Sequence, residues 1–340
     1  MRVGVVGAGA WGTSLASLLA AKGEAVRLWA LEGEVAEGIN SNRCNQLYLP
    51  EVEVAPDLVA STDLAEVIAP AEAVVTVTPS HVLREIAGRM AGHLSPAAIL
   101  ISATKGIEET SLLTMTGVLA QVLSPADPQS IRDRLAVLSG PSFAREVVAG
   151  SPTAVTVAAY KSQTAQFVQG LFGTDRFRVY TCPDVIGVEL GGALKNVMAI
   201  AAGICQGLGL GDNTLAALIT RGLAEMSRLG VSLGAEPLTF LGLSGVGDLV
   251  LTCTSPQSRN YTVGLKLGQG MKMAEILAGM RAVAEGVRTT RSAVALARRH
   301  EVEMPICTQI YAVIEDGADP KEALAVLMRR DPKLERWGLE

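Results

Sequence analysis

The chain has 340 residues, 49% hydrophobic and 19% charged, which is enough for two cores and too apolar for a disordered or low-complexity protein. Its 29 Lys and Arg against 34 Asp and Glu leave a net charge of −5, and aromatic residues reach only 4%. With no basic block and little stacking material, nucleic acid is not an expected partner. Cys44, Cys182, Cys205, Cys253 and Cys307 are scattered and odd in number, and they form no C-x-x-C pair. They read as reduced thiols of a cytoplasmic protein. His81, His93 and His300 lie far apart, so no metal is expected.

From the N-terminus, residues 3–21 carry no charge and satisfy a hydropathy test for a targeting or spanning segment. Gly7, Gly9 and Gly12 in the middle, diluted by Thr13, Ser14 and Ser17, argue against either, and no membrane insertion is expected. The stretch reads instead as a strand, a glycine turn and a helix. Short β-branched runs at 2–6, 25–29, 73–78, 98–103, 135–138, 153–158 and 177–180 alternate with helical patterns at 12–22, 80–90, 111–123, 142–148 and 162–171. Several of the runs are continuously apolar, as strands covered on both faces are. The alternation predicts a doubly wound α/β sheet.

After Cys182-Pro183-Asp184 the texture changes, and no convincing strand follows. Helices are predicted at 184–207, 213–233, 237–241, 258–267, 273–280, 286–300, 305–315 and 320–328, most of them opening on Asp, Ser, Asn or Pro. The expected division is therefore 1–183, a dinucleotide-binding α/β domain, and 184–340, a helical substrate-binding domain.

Gly7-Ala8-Gly9-Ala10-Trp11-Gly12 fits G-x-G-x-x-G in its proper setting, between a strand and a helix. Gly7 permits the turn, Gly9 lets the backbone reach a pyrophosphate, and Gly12 allows close helix–sheet contact. Glu32, twenty residues past Gly12, is placed to bond a ribose 2′-hydroxyl, whereas Ala30, Leu31 and Glu32 offer no cation for a 2′-phosphate. The lean is to NAD over NADP, with Arg27 and Arg43 as the residues that could reverse it. Residues 184–207 form a helix apolar nearly all round, in which Glu189, Lys195 and Asn196 stand out. Lys195 either snorkels to the surface or sits in a cavity, and burial would lower its pKa toward the range useful for proton transfer. Lys105, directly after an apolar strand, and Ser139-Gly140-Pro141-Ser142, after another, fall at a carboxyl edge where such sheets place ligands. Residues 242–248 are too glycine-rich for a stable helix, and they read as a closely packed loop aiming Asp248 at a partner, a lysine among the candidates. Ser255 with Pro256 reads as a helix start, and Ser258, Arg259 and Asn260 as a donor cluster suited to phosphate. Capping plus a solvated arginine is the plainer alternative.

GAGAWGT (7–13), TKGIE (104–108), SGPSFAREVVAG (139–150), GVELGGALKNVMAIAAG (187–203), LITRGLAEMSRLG (218–230), GVGDLVLTC (245–253), QSRN (257–260) and VAEG (283–286) follow one another along nearly the whole chain. In these blocks the chain resembles the bacterial-type NAD(P)-dependent sn-glycerol-3-phosphate dehydrogenases. The resemblance implies a Rossmann-type domain followed by an all-α, 6-phosphogluconate-dehydrogenase-like C-terminal domain, with the active site between them. It implies reversible reduction of dihydroxyacetone phosphate to sn-glycerol 3-phosphate, feeding glycerophospholipid synthesis, and a homodimer. It makes Lys195 the catalytic acid/base, aided by Lys105 and Asp248. It places Lys105, Gly140, Ser142, Lys195, Asp248, Ser258, Arg259 and Asn260 on the substrate. Cofactor positions fall on Gly7, Gly9, Ala10, Trp11, Gly12, Glu32, Lys105, Ala144, Arg259, Val283 and Glu285. The family often carries Ser where this chain has Ala10, and a basic residue near Leu31; both departures bear on NADP use. The rival expectations are another hydroxyacid or 6-phosphogluconate-type reductase on the same architecture, and a nucleotide-binding module without catalysis.

Overall fold

The computed structural model describes residues 1–280, 284–332 and 334–335. The chain divides into two compact units, residues 1–105 with 115–185, and residues 106–114 with 186–340. Residues 106–114 thus group with the second unit although they precede the expected boundary by some seventy positions.

The first unit is built on β1 (Arg2–Val6), β2 (Ala25–Trp29), β5 (Val59–Ser61), β6 (Ala73–Thr76), β7 (Ile99–Ser102), β8 (Leu135–Ser139), β9 (Thr153–Ala159) and β10 (Phe177–Cys182), with β3 (Cys44–Asn45) and β4 (Leu49–Glu53) as a separate antiparallel pair. The eight strands run in the order β10-β9-β8-β7-β6-β1-β2-β5. Val5, Val6, Val74, Val75, Leu100 and Ile101 on the central strands are fully buried, which is why those runs are apolar without alternation. Two features depart from a simple doubly wound sheet. β9 pairs antiparallel with β8, and β3 to β5 with the helices Gly33–Asn42 and Leu64–Ile68 fill the span between β2 and β6 that carries no long periodic run.

β1 lies between β2 and β6 and pairs in parallel with both. The chain leaves β1 toward one edge of the sheet and returns through β6 on the other side. The carboxyl ends of β1 and β6 therefore flank a topological switch point, the crevice where open α/β sheets bind ligands.

The second unit is helical among its described residues. Its axis is the helix Val185–Gly207, with Leu190, Leu194, Val197, Met198 and Ile200 fully buried. This helix is long and apolar enough to cross a membrane by composition, but 94% of its most apolar window is buried inside the protein. It is surrounded by Asp212–Ser232, Asp248–Thr254, Arg259–Gly268, Glu285–Arg299, Pro305–Glu315 and Pro320–Met328. Two expectations are corrected here. The glycine-rich segment is a π-helical turn, Leu243–Gly247, broken at Gly245 and running directly into the helix Asp248–Thr254. Ser255 does not start the next helix. It ends the preceding one, and Ser258 is the N-cap, its Oγ accepting from the Tyr261 amide at 3.2 Å.

Candidate functional site

In the first unit the glycine turn has the geometry its spacing predicts. Gly7 sits at φ +115°, and a Cβ there would meet the Val77 carbonyl oxygen at 2.8 Å, so no other residue fits between β1 and the exit of β6. A Cβ on Gly12 would lie 1.8 Å from the Gly7 carbonyl oxygen. A Cβ on Gly9 would meet nothing within 4 Å, so the turn is open on that side. The helix Ala10–Ala21 begins there without a side-chain cap, leaving its first N–H groups directed at whatever enters. The indole Nε1 of Trp11 and the hydroxyls of Thr78 and Ser139 are buried without a protein hydrogen-bond partner, as groups reserved for a ligand or water are. Ala144 stands beside this helix, its carbonyl accepting from the Ser14 hydroxyl at 3.0 Å. These features fit a pyrophosphate-bearing dinucleotide.

Glu32 follows β2 and accepts a 2.8 Å hydrogen bond from the Tyr48 hydroxyl. Burial, together with this bond, pushes the Tyr48 phenol up to about 12, so it stays a donor that orients the carboxylate. Tyr48 had no signal in the sequence; it arrives with the β3–β4 pair. Leu31 is 69% exposed and presents no charge. Lys105, Gly140 and Ser142 meet at the exits of β7 and β8. The Gly140 carbonyl accepts from Lys105 Nζ at 3.4 Å and from Ser142 Oγ at 2.9 Å. Val283 lies outside the described residues.

In the second unit Lys195 does not snorkel. It is 7% exposed, its Nζ 2.5 Å from Asp248 Oδ1 and 2.7 Å from Thr252 Oγ1. The π-helical turn makes this possible. A Cβ at Gly191 would stand 2.5 Å from the Ser244 carbonyl oxygen, so only glycine admits the turn that delivers Asp248 to the lysine. Asp248 is 1% exposed and supplies the countercharge that a buried ammonium requires. Thr252, one turn after Asp248 on the same helix, donates to the Asp248 carbonyl at 2.6 Å and so turns its lone pairs toward Lys195. The i,i+4 spacing of Asp248 and Thr252 is the signal that could have found it. Burial pushes the adjacent Cys253 thiol up to about 12, which leaves it protonated and removes it as a nucleophile.

Asn260 is committed on both sides of its amide, donating to Asn196 Oδ1 at 2.9 Å and accepting from the Gly286 amide at 2.9 Å. It thereby ties the Lys195 helix to the helix Glu285–Arg299, with one Nδ2 hydrogen left for a ligand. Arg259 is the first residue of its helix and presents its side chain at the surface of the unit. Protein crowding around the guanidinium pushes its pKa down, and Glu285 opposes that shift. Asn196, which stood out only as a polar residue in an apolar helix, joins the lysine and the Ser258-Arg259-Asn260 cluster.

A dinucleotide cradle on a Rossmann sheet, in one chain with a buried amine held by a carboxylate, defines a pyridine-nucleotide-dependent oxidoreductase. Residues 2–165 match the N-terminal model of NAD-dependent glycerol-3-phosphate dehydrogenase, and residues 184–325 match its C-terminal model. The chain is 55% identical over 336 residues to the glycerol-3-phosphate dehydrogenase [NAD(P)+] of Geobacter sulfurreducens, with 99% of each chain covered. It is 50% identical over 338 residues to that of Koribacter versatilis, again with 99% of each covered. The crystal structure of glycerol-3-phosphate dehydrogenase from Coxiella burnetii superposes with a TM-score of 0.90 at 40% identity, over 96% of this chain and 98% of that one. A ketopantoate reductase from Ralstonia eutropha, at 16% identity and a TM-score of 0.59, shares the fold alone. This chain belongs to the NAD-dependent glycerol-3-phosphate dehydrogenase family.

Proposed function

We propose that the chain interconverts dihydroxyacetone phosphate and sn-glycerol 3-phosphate, with Lys195 as the proton carrier. The observation that supports this reading most directly is the buried Lys195–Asp248 pair at 2.5 Å. A bound dinucleotide supplies the hydride exchanged with C2 of the substrate. Gly7, Gly9, Ala10, Trp11, Gly12, Glu32 and Ala144 hold it on the first unit, which supports a dinucleotide-binding role for the α/β unit, while Lys195 and Asp248 support the proton chemistry as the helical unit's part. Lys105, Arg259, Val283 and Glu285 are the further cofactor positions that the resemblance implies. The Glu32 carboxylate, bonded to Tyr48, accepts from a ribose hydroxyl and repels a 2′-phosphate, which supports NAD over NADP.

Arg259, the Ser258 hydroxyl and the remaining Asn260 N–H receive the substrate phosphate, where a charge-assisted contact is worth most. Gly140 and Ser142 border the substrate, and Lys105 adds positive field at the polarised carbonyl. The Lys195 ammonium donates a proton to the oxygen on C2 as negative charge develops there, and in the reverse direction the neutral amine takes it back. Asp248 and Thr252 keep Nζ aimed during both steps. Five free cysteines support a reducing, cytoplasmic location, and Leu238 and Leu241, exposed on one short turn, support a homodimer.

The test is Lys195→Met. General acid–base transfer is worth about 10²–10⁴-fold, so kcat for dihydroxyacetone phosphate should fall by that factor while NADH binding survives. Near-normal turnover would refute the assignment. Parallel assays with NADH and NADPH decide the cofactor preference.

A further inference from the structure

The exit of β6 touches two parts of the first unit at once. On one side it lies against the glycine turn, with the Val77 carbonyl oxygen 2.8 Å and the Thr78 nitrogen 3.1 Å from where a Gly7 Cβ would stand. On the other side it receives a side chain from the exit of β7. Thr104 is 7% exposed, and its Oγ1 lies 2.9 Å from the Thr78 carbonyl oxygen and 3.3 Å from that of Thr76. The Ala103 amide also donates to the Thr76 carbonyl, at 2.9 Å. β6 and β7 pair only as far as Thr76 and Ser102, so beyond that register the Thr104 hydroxyl replaces the missing rung of the ladder. The next residue is Lys105, whose ammonium reaches Gly140.

We propose that Thr104 is a positioning residue for the reaction: through the β6 exit it fixes the Lys105 ammonium relative to the glycine turn that holds the dinucleotide. A threonine is suited to this because its hydroxyl serves two carbonyls while its methyl group fills buried space. Valine keeps the shape and removes the hydroxyl; serine keeps the hydroxyl. The inference rests on the reading above that Lys105 acts on the substrate.

The experiment compares Thr104→Val, Thr104→Ser, Lys105→Met and the double variant Thr104→Val/Lys105→Met. The readouts are KM and kcat for dihydroxyacetone phosphate, the NADH dissociation constant by fluorescence, and the melting temperature. Loss of one well-made hydrogen bond corresponds to roughly a tenfold effect. Thr104→Val should therefore raise KM about tenfold with NADH affinity within about twofold of the parent, and Thr104→Ser should restore KM. In the Lys105→Met background the valine should add nothing further, because there is no ammonium left to place. Penalties that multiply in the double variant, or a KM unchanged in Thr104→Val while Lys105→Met is crippled, would overturn the role of Thr104 alone. A normal KM in Lys105→Met would sink the reading of Lys105 itself. If Thr104→Val fails to fold, a Thr104→Ser variant that raises KM as Lys105→Met does, at parental melting temperature, also overturns the proposal.

Discussion

Removal of one partner from the Lys195–Asp248 pair is the sharpest perturbation of the second unit. The two groups are 7% and 1% exposed and 2.5 Å apart, so neither charge has water to fall back on. Breaking such a pair costs about 3–5 kcal/mol, because the survivor is left as an uncompensated buried charge, whereas removing both groups is often close to neutral. Against a total stability of about 5–15 kcal/mol the single loss is large. At roughly 2–4 °C per kcal/mol for a domain of this size, Asp248→Asn should lower the melting temperature by about 6–20 °C. Lys195→Met should cost a similar amount by stranding the aspartate. The double variant Lys195→Met/Asp248→Asn should then be more stable than the sum of the single losses predicts, by at least about 2 kcal/mol, while remaining without activity. Calorimetry on the four proteins, with initial rates from the absorbance of the reduced nicotinamide, closes the cycle. Additive stability losses would mean that the two groups do not pair in solution, and the account of how Lys195 is held would fail.

Gly9 and Gly12 should separate binding from folding. Gly9→Ala meets no protein atom and should leave stability within about 0.5 kcal/mol while weakening NADH binding, whereas Gly12→Ala collides with the Gly7 carbonyl and should cost more than about 3 kcal/mol. Equal effects of the two on melting temperature would contradict this. Arg259→Ala removes a charge-assisted contact worth about 1.5–3 kcal/mol, so KM for dihydroxyacetone phosphate should rise about 10–150-fold; an unchanged KM would count against the phosphate assignment. Glu225 caps the helix Pro305–Glu315 by accepting from the Ile306 and Cys307 amides at 2.7 and 3.2 Å, and burial raises its carboxyl to about 7. Since the folded value lies above the unfolded one, its protonated form favours folding. The contribution is full below about pH 4.5 and is lost as pH rises through 7, by up to about 3 kcal/mol. Denaturant titrations should therefore show the parent losing stability between pH 5 and 8 relative to Glu225→Gln, and parallel curves would refute the shift.

Much of this molecule is legible in the linear chain. Continuous apolar runs mark the central strands because parallel strands are buried on both faces, and the glycine spacing marks the dinucleotide turn because only glycine fits at positions 7 and 12. The small elements between β2 and β6 are not legible. β3, β4 and β5 have two, five and three residues, too short for a period of two to declare itself. The antiparallel setting of β9 is equally hidden, since strand direction in a sheet is a matter of which neighbour is reached and not of local pattern. Ser255 and Ser258 are both good caps, and only the path of the backbone decides that Ser258 is the one.

At the candidate centre the division is the same. Sequence alone determined that Lys195 stands in an apolar helix, that Asp248 follows a glycine-rich turn, and that Ser258, Arg259 and Asn260 adjoin, because these are properties of residue type and spacing. Only the tertiary structure decided that the lysine is buried, that a carboxylate 53 positions away neutralises it, that Thr252 completes the pair, and that Asn260 is half spent on Asn196 and Gly286. Burial and pairing are set by which surfaces meet, and a one-dimensional pattern holds no record of a partner so many residues distant.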